Sequence, residues 1–140
     1  MRTMGLDVGT KTIGVALSDE LGLTAQPLTT IRRKGIRKDI EAVVTLMEEH
    51  SVGTVVVGMP VKMDGTMSET TRMVSGFVER LAKETDAEVR TWDERLSTAA
   101  VERVLIEGDL SRAKRKKVVD KMAAAYILQG FMDRERSPGA

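Results

Sequence analysis

The chain has 140 residues, of which 41% are hydrophobic and 31% charged, and its formal net charge is +1. These values are typical of a folded domain rather than a disordered chain. The sequence has no apolar run that approaches the roughly 20 residues needed to cross a bilayer. Because Asp7 interrupts the opening residues, no signal peptide is expected there. The chain has no cysteine, which excludes disulfides and thiolate metal sites, so we expect a cytoplasmic location and no membrane partner.

The first part of the chain predicts three strands, over residues 2–8, 12–18 and 23–31. The first two alternate in polarity and are joined by a hairpin turn at Gly9-Thr10-Lys11. Pro27 has no backbone N–H, which predicts that the third strand lies at a sheet edge or carries a bulge. Apolar residues at helical spacing then predict a helix over residues 36–50.

Helices and strands alternate in the rest of the chain. A β-branched run at residues 54–59 is typical of a central strand buried on both faces. The later elements are a loop at 60–68, a helix at 70–85, a strand at 88–92, a helix from Ser97 or Thr98 to 107, a helix at 116–133 and a disordered tail at 137–140. This order predicts one α/β domain over residues 1–136, with a five-stranded mixed sheet, its first three strands antiparallel, and helices on both faces.

Three acidic positions stand out by their place in the predicted elements. Asp7 lies near the end of the first strand, Asp93 and Glu94 end the fifth, and Asp120 lies in the first turns of the last helix. Because sites in open α/β sheets collect beyond the carboxyl ends of the strands, these positions can converge. Oxygen ligands without His or Cys suit a hard cation such as Mg²⁺ or Mn²⁺. By residue type alone, ordinary surface carboxylates remain the alternative interpretation.

Basic residues form two clusters that can bind phosphate groups, with a solvated surface as the alternative. The first cluster comprises Arg32, Arg33, Lys34, Arg37 and Lys38, and the second comprises Arg112, Lys114, Arg115, Lys116 and Lys117. The second cluster precedes Asp120 by about one helical turn, which favours phosphate binding. Lys11 and Thr12 on the hairpin, and Arg95 beside Glu94, are further candidates for phosphate contacts. Aromatic residues are 3% of the chain, so no platform for stacking bases is expected.

Four segments of the chain together resemble the YqgF/RuvX family of pre-16S rRNA nuclease and Holliday junction resolvase-like proteins. They read GLDVGTKTIGVA at residues 5–16, VVGMPVKMDGT at 56–66, DERLST at 93–98 and KVVDKMAAA at 117–125. The segments match in order and spacing, and the resemblance spans nearly the whole chain, leaving out only the termini. Met59 stands where leucine is usual, which is a conservative apolar change.

The resemblance implies an RNase H-like fold and a metal-dependent endonuclease. By resemblance Asp7, Glu94 and Asp120 fall on the metal-binding acidic triad, with Asp93 as the alternative to Glu94 and Mg²⁺ or Mn²⁺ as the cofactor. The implied substrate is precursor 16S ribosomal RNA, cut at its 5′ end during ribosome biogenesis, and the alternative is a four-way DNA junction in recombination or repair. Ribosomal or transcription proteins are candidate partners, and both a monomer and a homodimer remain open.

Two other functional classes remain open. The Asp-Val-Gly-Thr hairpin at residues 7–10 also resembles the phosphate loop of the actin, heat-shock chaperone and sugar-kinase superfamily, which predicts an ATP-binding module. Those proteins normally need two such domains, whereas 140 residues supply one. The second class is a non-catalytic RNA-binding module that keeps the fold without the reaction.

Overall fold

A computed structural model describes residues 1–60, 67–93 and 112–136, with the backbone alone for 112–120. Its elements are five strands and three helices in the described residues. The strands are β1 Arg2–Val8, β2 Thr12–Ser18, β3 Ala25–Arg32, β4 Val52–Met59 and β5 Glu88–Asp93. The helices are α1 Ile36–Glu49, α2 Glu69–Glu84 and α3 Arg112–Arg136.

The strands form one mixed sheet in the order β3-β2-β1-β4-β5, with β1, β2 and β3 antiparallel and β4 and β5 parallel to β1. The predicted sheet is therefore confirmed, and the predicted bounds of the first two strands are those observed. The predicted helix ending at residue 107 and the predicted tail at 137–140 lie outside the described residues, as do positions 61–66 of the predicted loop.

Both expectations for β3 are confirmed. The strand pairs with β2 alone among the described strands, so it forms an edge of the sheet. Its register shifts where Val15 pairs with Thr29 but the next residue, Ala16, pairs with Pro27. A proline is tolerated at such a position because it has no N–H to donate to the ladder.

The turn from β2 to β3 is held by one carboxylate. The Oδ1 atom of Asp19 accepts hydrogen bonds from the backbone N–H groups of Leu23, at 2.7 Å, and Thr24, at 3.2 Å. Since both bonds favour the ionised carboxylate, Thr24 first and then Leu23 lower the pKa of Asp19. Asp19 therefore stabilises the end of the sheet opposite to the hairpin between β1 and β2.

Each face of the sheet buries its own apolar core. The face covered by α1 and α2 includes Leu6, Val15, Val57 and Phe77, which are fully buried. The face covered by α3 includes Val56 and Leu128, also fully buried. Because β4 carries buried valines on both faces, it is the central strand that its β-branched run predicted.

The start of α2 is fixed by a capping box and by a contact to the end of β4. The Ser68 hydroxyl accepts from the Thr71 N–H at 3.1 Å, and the Thr71 hydroxyl accepts from the Ser68 N–H at 3.2 Å. The same Thr71 hydroxyl lies against the carbonyl oxygen of Pro60, the residue that follows β4. None of the described helices is long and apolar enough to cross a membrane.

Candidate active site

Four strands finish at one end of the sheet, which we call the carboxyl end. β1, β3, β4 and β5 run in the same direction and finish there, while β2 starts there after the hairpin. Asp7 is the second-last residue of β1 and is half-buried. The hairpin turn has the predicted bounds, since Gly9 donates its N–H to the Thr12 carbonyl at 2.8 Å. Asp7 thus lies where α/β sheets commonly place functional groups.

The third helix crosses the face of β1 that carries Asp7. A Cβ atom on Gly5 would lie 2.7 Å from both the Ala124 carbonyl oxygen and the Leu128 Cβ, so helix and strand are in close contact at this glycine. Gly5 and Asp7 share a face because side chains alternate along a strand. Leu6, between them, packs in the core beneath α1 and α2. Asp7 therefore belongs to the face that α3 covers.

The direction of α3 brings position 120 level with Asp7. Farther along α3, Gln129 accepts from the Ala25 N–H at 2.9 Å and donates to the Leu23 carbonyl at 3.0 Å, both at the opposite end of the sheet. Residues before Ala124 therefore lie toward the carboxyl end. Four helical residues rise about 6 Å, and two strand residues rise about 6.6 Å. Position 120, one turn before Ala124, is thus at the same height as Asp7, two residues after Gly5.

Of the two acids predicted at the end of β5, Asp93 is the one that the described residues include. Trp92 packs with the α3 core, and the Arg90 guanidinium lies 5.2 Å from the Phe131 ring centroid of α3. Val89 packs on the opposite core. By alternation Asp93 lies on the α1 and α2 side, away from the face of Asp7. Glu94 and Arg95 lie outside the described residues.

One predicted surface cation is instead an interior link. Arg33 is 13% exposed, and its Nε atom pairs with the Oδ2 atom of Asp39 at 2.9 Å. Its Nη1 atom donates to the Gly9 carbonyl at 3.0 Å, and its backbone N–H donates to the Lys11 carbonyl at 2.9 Å. The first basic cluster of the sequence therefore does not form one solvated surface, and Arg33 braces the hairpin that follows Asp7.

The sequence carried a weak signal for this link. Asp39 directly follows the basic stretch from Arg32 to Lys38, in the first turn of α1, and it is 1% exposed. A buried carboxylate requires a cation or hydrogen-bond donors. Arg33 and the Lys34 backbone N–H, at 2.9 Å, supply both.

The remaining predicted phosphate contacts fall into two groups. Lys11 is exposed and Thr12 half-buried at the carboxyl end. Four basic residues belong to the first turns of α3, namely Lys114, Arg115, Lys116 and Lys117. Both groups therefore lie toward the end of the sheet that holds Asp7.

Oxygen donors are the only ligand type among the predicted metal-binding residues. No group of three or more acidic or histidine side chains able to hold a metal ion occurs within the described residues, which leave out Glu94 and the side chain of Asp120. Asp7 and position 120 lie on facing elements at the same height. An all-carboxylate set fits Mg²⁺ or Mn²⁺ and not a soft metal.

A family model described as RuvX, Holliday junction resolvase, matches residues 1–134. The chain belongs to the RuvX family. The resemblance read from four sequence segments is therefore confirmed, and RuvX relatives match nearly the whole chain. A protein of Clostridium perfringens named "Putative pre-16S rRNA nuclease" is 54% identical over 134 residues, which cover 96% of this chain and 98% of that protein. A protein of the same name from Desulforamulus reducens is 56% identical over 133 residues, covering 95% and 97%.

Solved structures show that this RuvX chain has an RNase H-like fold. Thermus thermophilus RuvC, in complex with a Holliday junction substrate, superposes with a TM-score of 0.63 at 18% identity, covering 98% of this chain and 96% of that chain. The fowlpox virus resolvase in complex with Holliday junction DNA has a TM-score of 0.58 at 13% identity, covering 96% and 99%. The fold class predicted from the sequence is thus confirmed.

Proposed function

We propose that this RuvX protein is a metal-dependent endonuclease that processes the 5′ end of precursor 16S ribosomal RNA in ribosome biogenesis. The observation that carries the proposal is the match in height between Asp7 on β1 and position 120 on the facing helix, at the carboxyl end of an RNase H-like sheet. The names of relatives more than half identical to this chain support the substrate. The expected cytoplasmic location and ribosomal or transcription partners remain predictions.

In this proposal Asp7, Glu94 and Asp120 hold Mg²⁺ or Mn²⁺. A divalent ion bound by such carboxylates supplies charge that activates water and stabilises the leaving oxygen of a phosphodiester. The chain's own basic residues hold the substrate by its phosphates, with Lys11, Thr12 and Arg95 near the acids and Lys114, Arg115, Lys116 and Lys117 at the start of α3. The hairpin backbone, braced by Arg33, keeps Asp7 oriented while the substrate is bound.

Glu94 is favoured over Asp93 as the second acid. Asp93 belongs by alternation to the face of the sheet opposite to Asp7, because Trp92 packs against α3. A ligand shared with Asp7 has to reach the α3 face. The residue after Asp93 meets that condition if the extended chain continues, so we assign the role to Glu94.

The decisive experiment compares wild type with Asp7→Asn on a precursor 16S RNA fragment in Mg²⁺ or Mn²⁺. Loss of one metal-binding carboxylate is expected to lower the cleavage rate more than about 100-fold. Equilibrium binding of the RNA and the melting temperature are expected to change little, because Asn fills the same space. Cleavage by Asp7→Asn at the wild-type rate would contradict the assignment.

The second candidate function is resolution of four-way DNA junctions, favoured by the description of the matching family model. The same carboxylates and cations serve both substrates, so the experiment offers a four-way junction beside the RNA. Faster cleavage of the junction by wild type, again lost in Asp7→Asn, would replace the RNA with DNA in the proposal. ATP–Mg²⁺ is included as a third ligand, since stabilisation by it, with none by Mn²⁺ alone, would instead indicate an ATP-binding module.

A further inference from the structure

Three exposed cations lie together beside the hairpin, outside the set assigned above to substrate binding. Arg32 ends β3 and pairs with Thr12, while Lys34 and Lys38 belong to the junction and the first turn of α1. They line one groove of about 340 Å³, together with Ile31, Asp39 and Ala42. The groove lies where β3 ends and α1 begins, at the carboxyl end of the sheet.

The groove has a fixed framework, because its cations project from a hydrogen-bonded junction. Arg33, between Arg32 and Lys34, points inward to Asp39 and to the Gly9 carbonyl. The Lys34 N–H donates to the Oδ1 atom of Asp39 at 2.9 Å. The Arg33 N–H donates to the Lys11 carbonyl at 2.9 Å, which fixes Lys11 beside the groove. Binding here therefore requires little ordering of the backbone.

The charge of these cations is available for a ligand. Across residues 1–60, 67–93 and 112–136, none of Lys11, Arg32, Lys34 and Lys38 makes an ion pair. Arg37, in the same stretch, does pair with Glu41 at 3.5 Å. The acid that lines the groove, Asp39, is already bonded to Arg33. A groove lined by three such cations, with Lys11 on the adjacent hairpin and with its one acid already paired, favours an anionic ligand with several charges.

We propose that Arg32, Lys34 and Lys38 form, with Lys11, a second phosphate-binding surface for the sugar–phosphate backbone of the substrate. This inference rests on the proposed function, since it extends the path of the nucleic acid from the acids past the hairpin tip to the β3 edge. Lys11, on the hairpin, connects the region of the acids with the groove at the β3 edge. The surface positions the substrate and reads no bases, because lysine and arginine bound to phosphates carry no sequence information directly.

The test measures the salt dependence of nucleic-acid binding in an Asp7→Asn background, which prevents cleavage. The probes are a fluorescent precursor 16S RNA fragment and a four-way DNA junction, followed by anisotropy over a range of salt concentrations. The test variant is Arg32→Gln with Lys38→Gln. The matched control is Arg80→Gln with Lys83→Gln, which also removes one arginine and one lysine, both exposed on the half of α2 farther from the hairpin.

Each lost phosphate contact reduces the magnitude of the negative slope of log affinity against log salt by about 0.7 to 0.9. We therefore expect Arg32→Gln with Lys38→Gln to reduce the magnitude of this slope by about 1.5 and to weaken binding about tenfold near physiological salt, while the control stays close to the parent. If the double variant does not melt like the parent, the single variants Arg32→Gln and Lys38→Gln are measured, each with half the expected change in slope.

Equal slopes and affinities for the test and control variants would overturn the surface and leave the proposed function standing. Failure of the parent to bind either probe would overturn the proposed function and the surface with it. A loss confined to the RNA or to the junction supports the surface and identifies which of the two nucleic acids occupies it.

Discussion

Arg33 is an interior residue within an otherwise exposed basic stretch. Its neighbours in sequence are exposed, but its own guanidinium lies between Asp39, the Gly9 carbonyl and the Phe77 ring, whose centroid is 5.8 Å away. A charge in such a place is tolerated because each of its sides meets a carboxylate, a carbonyl or a π-face. Arg33 therefore connects the start of α1 with the hairpin next to Asp7.

Removing this guanidinium is expected to destabilise the protein strongly. Arg33→Ala leaves the buried Asp39 carboxylate without its cation, which typically costs about 3–5 kcal/mol of unfolding free energy. The matched control is Arg37→Ala, which breaks the exposed pair with Glu41 and is expected to cost no more than about 0.5 kcal/mol. Urea denaturation of both variants gives the comparison, and equal losses would show that the Arg33–Asp39 link stabilises the protein no more than an exposed ion pair does.

The adjacent acids of the fifth strand give a second prediction at the scale of single residues. Glu94→Gln is expected to lower metal-dependent cleavage more than about 100-fold, as for a lost ligand. Asp93→Asn is expected to keep the rate within about tenfold, since Asp93 belongs to the other face of the sheet. Rates on the same RNA at saturating Mn²⁺ make the comparison. The reverse order of effects would assign the metal to Asp93.

Among the elements, the crossing of β1 and α3 controls the distance between the predicted ligands. The crossing occurs at Gly5, where helix backbone and strand backbone approach closely enough that no Cβ fits. Asp7 and position 120 both lie just beyond it, on elements that pass each other in opposite directions. A wider crossing would therefore separate two of the three predicted metal ligands.

Gly5→Ala tests this dependence. Its added Cβ would meet the Ala124 carbonyl oxygen and the Leu128 Cβ, both at 2.7 Å, so the helix must shift. We expect a loss of about 1–3 kcal/mol in unfolding free energy from overpacking. We also expect weaker Mn²⁺ activation of cleavage, measured as a higher Mn²⁺ concentration for half-maximal rate.

The matched control for Gly5→Ala is Gly76→Ala in α2. A Cβ at Gly76 meets nothing within 4 Å, so the better helix propensity of alanine is expected to stabilise the protein by about 0.5–1 kcal/mol. Its Mn²⁺ dependence should equal that of wild type. If Gly5→Ala also keeps the wild-type Mn²⁺ dependence, the crossing does not set the geometry of the metal site.

For the whole molecule, two cores on one sheet imply one unfolding unit. Phe77 in α2 and Leu128 in α3 are fully buried on opposite faces of the sheet, and the central strand β4 contributes to both cores. Through the cavity that each leaves, Phe77→Ala is expected to cost about 3–5 kcal/mol and Leu128→Ala about 2–5 kcal/mol of unfolding free energy. Thermal unfolding, followed by far-UV and near-UV circular dichroism, should show a single transition in both variants. Two separate transitions would indicate that α3 unfolds on its own.

Most of the sheet could be predicted from the sequence, because its signals are local. Alternating polarity predicted β1 and β2 to the residue, and the β-branched run predicted the buried position of β4. The site was harder to predict. Which acid shares a face with Asp7 depends on the packing of Trp92, and the crossing at Gly5 depends on residues more than a hundred positions apart. Such contacts leave no periodic pattern in the chain.

The irregular β3 strand has a consequence for how copies of this protein can associate. An outer strand with regular, unpaired backbone groups can recruit a second chain and extend the sheet across two molecules. Pro27 offers no N–H, and the register shift beside it interrupts the spacing that a new strand would need. Joining of two sheets into one along β3 is therefore disfavoured. A dimer that presents two sites to a branched substrate would therefore have to be held by surfaces other than the β3 edge.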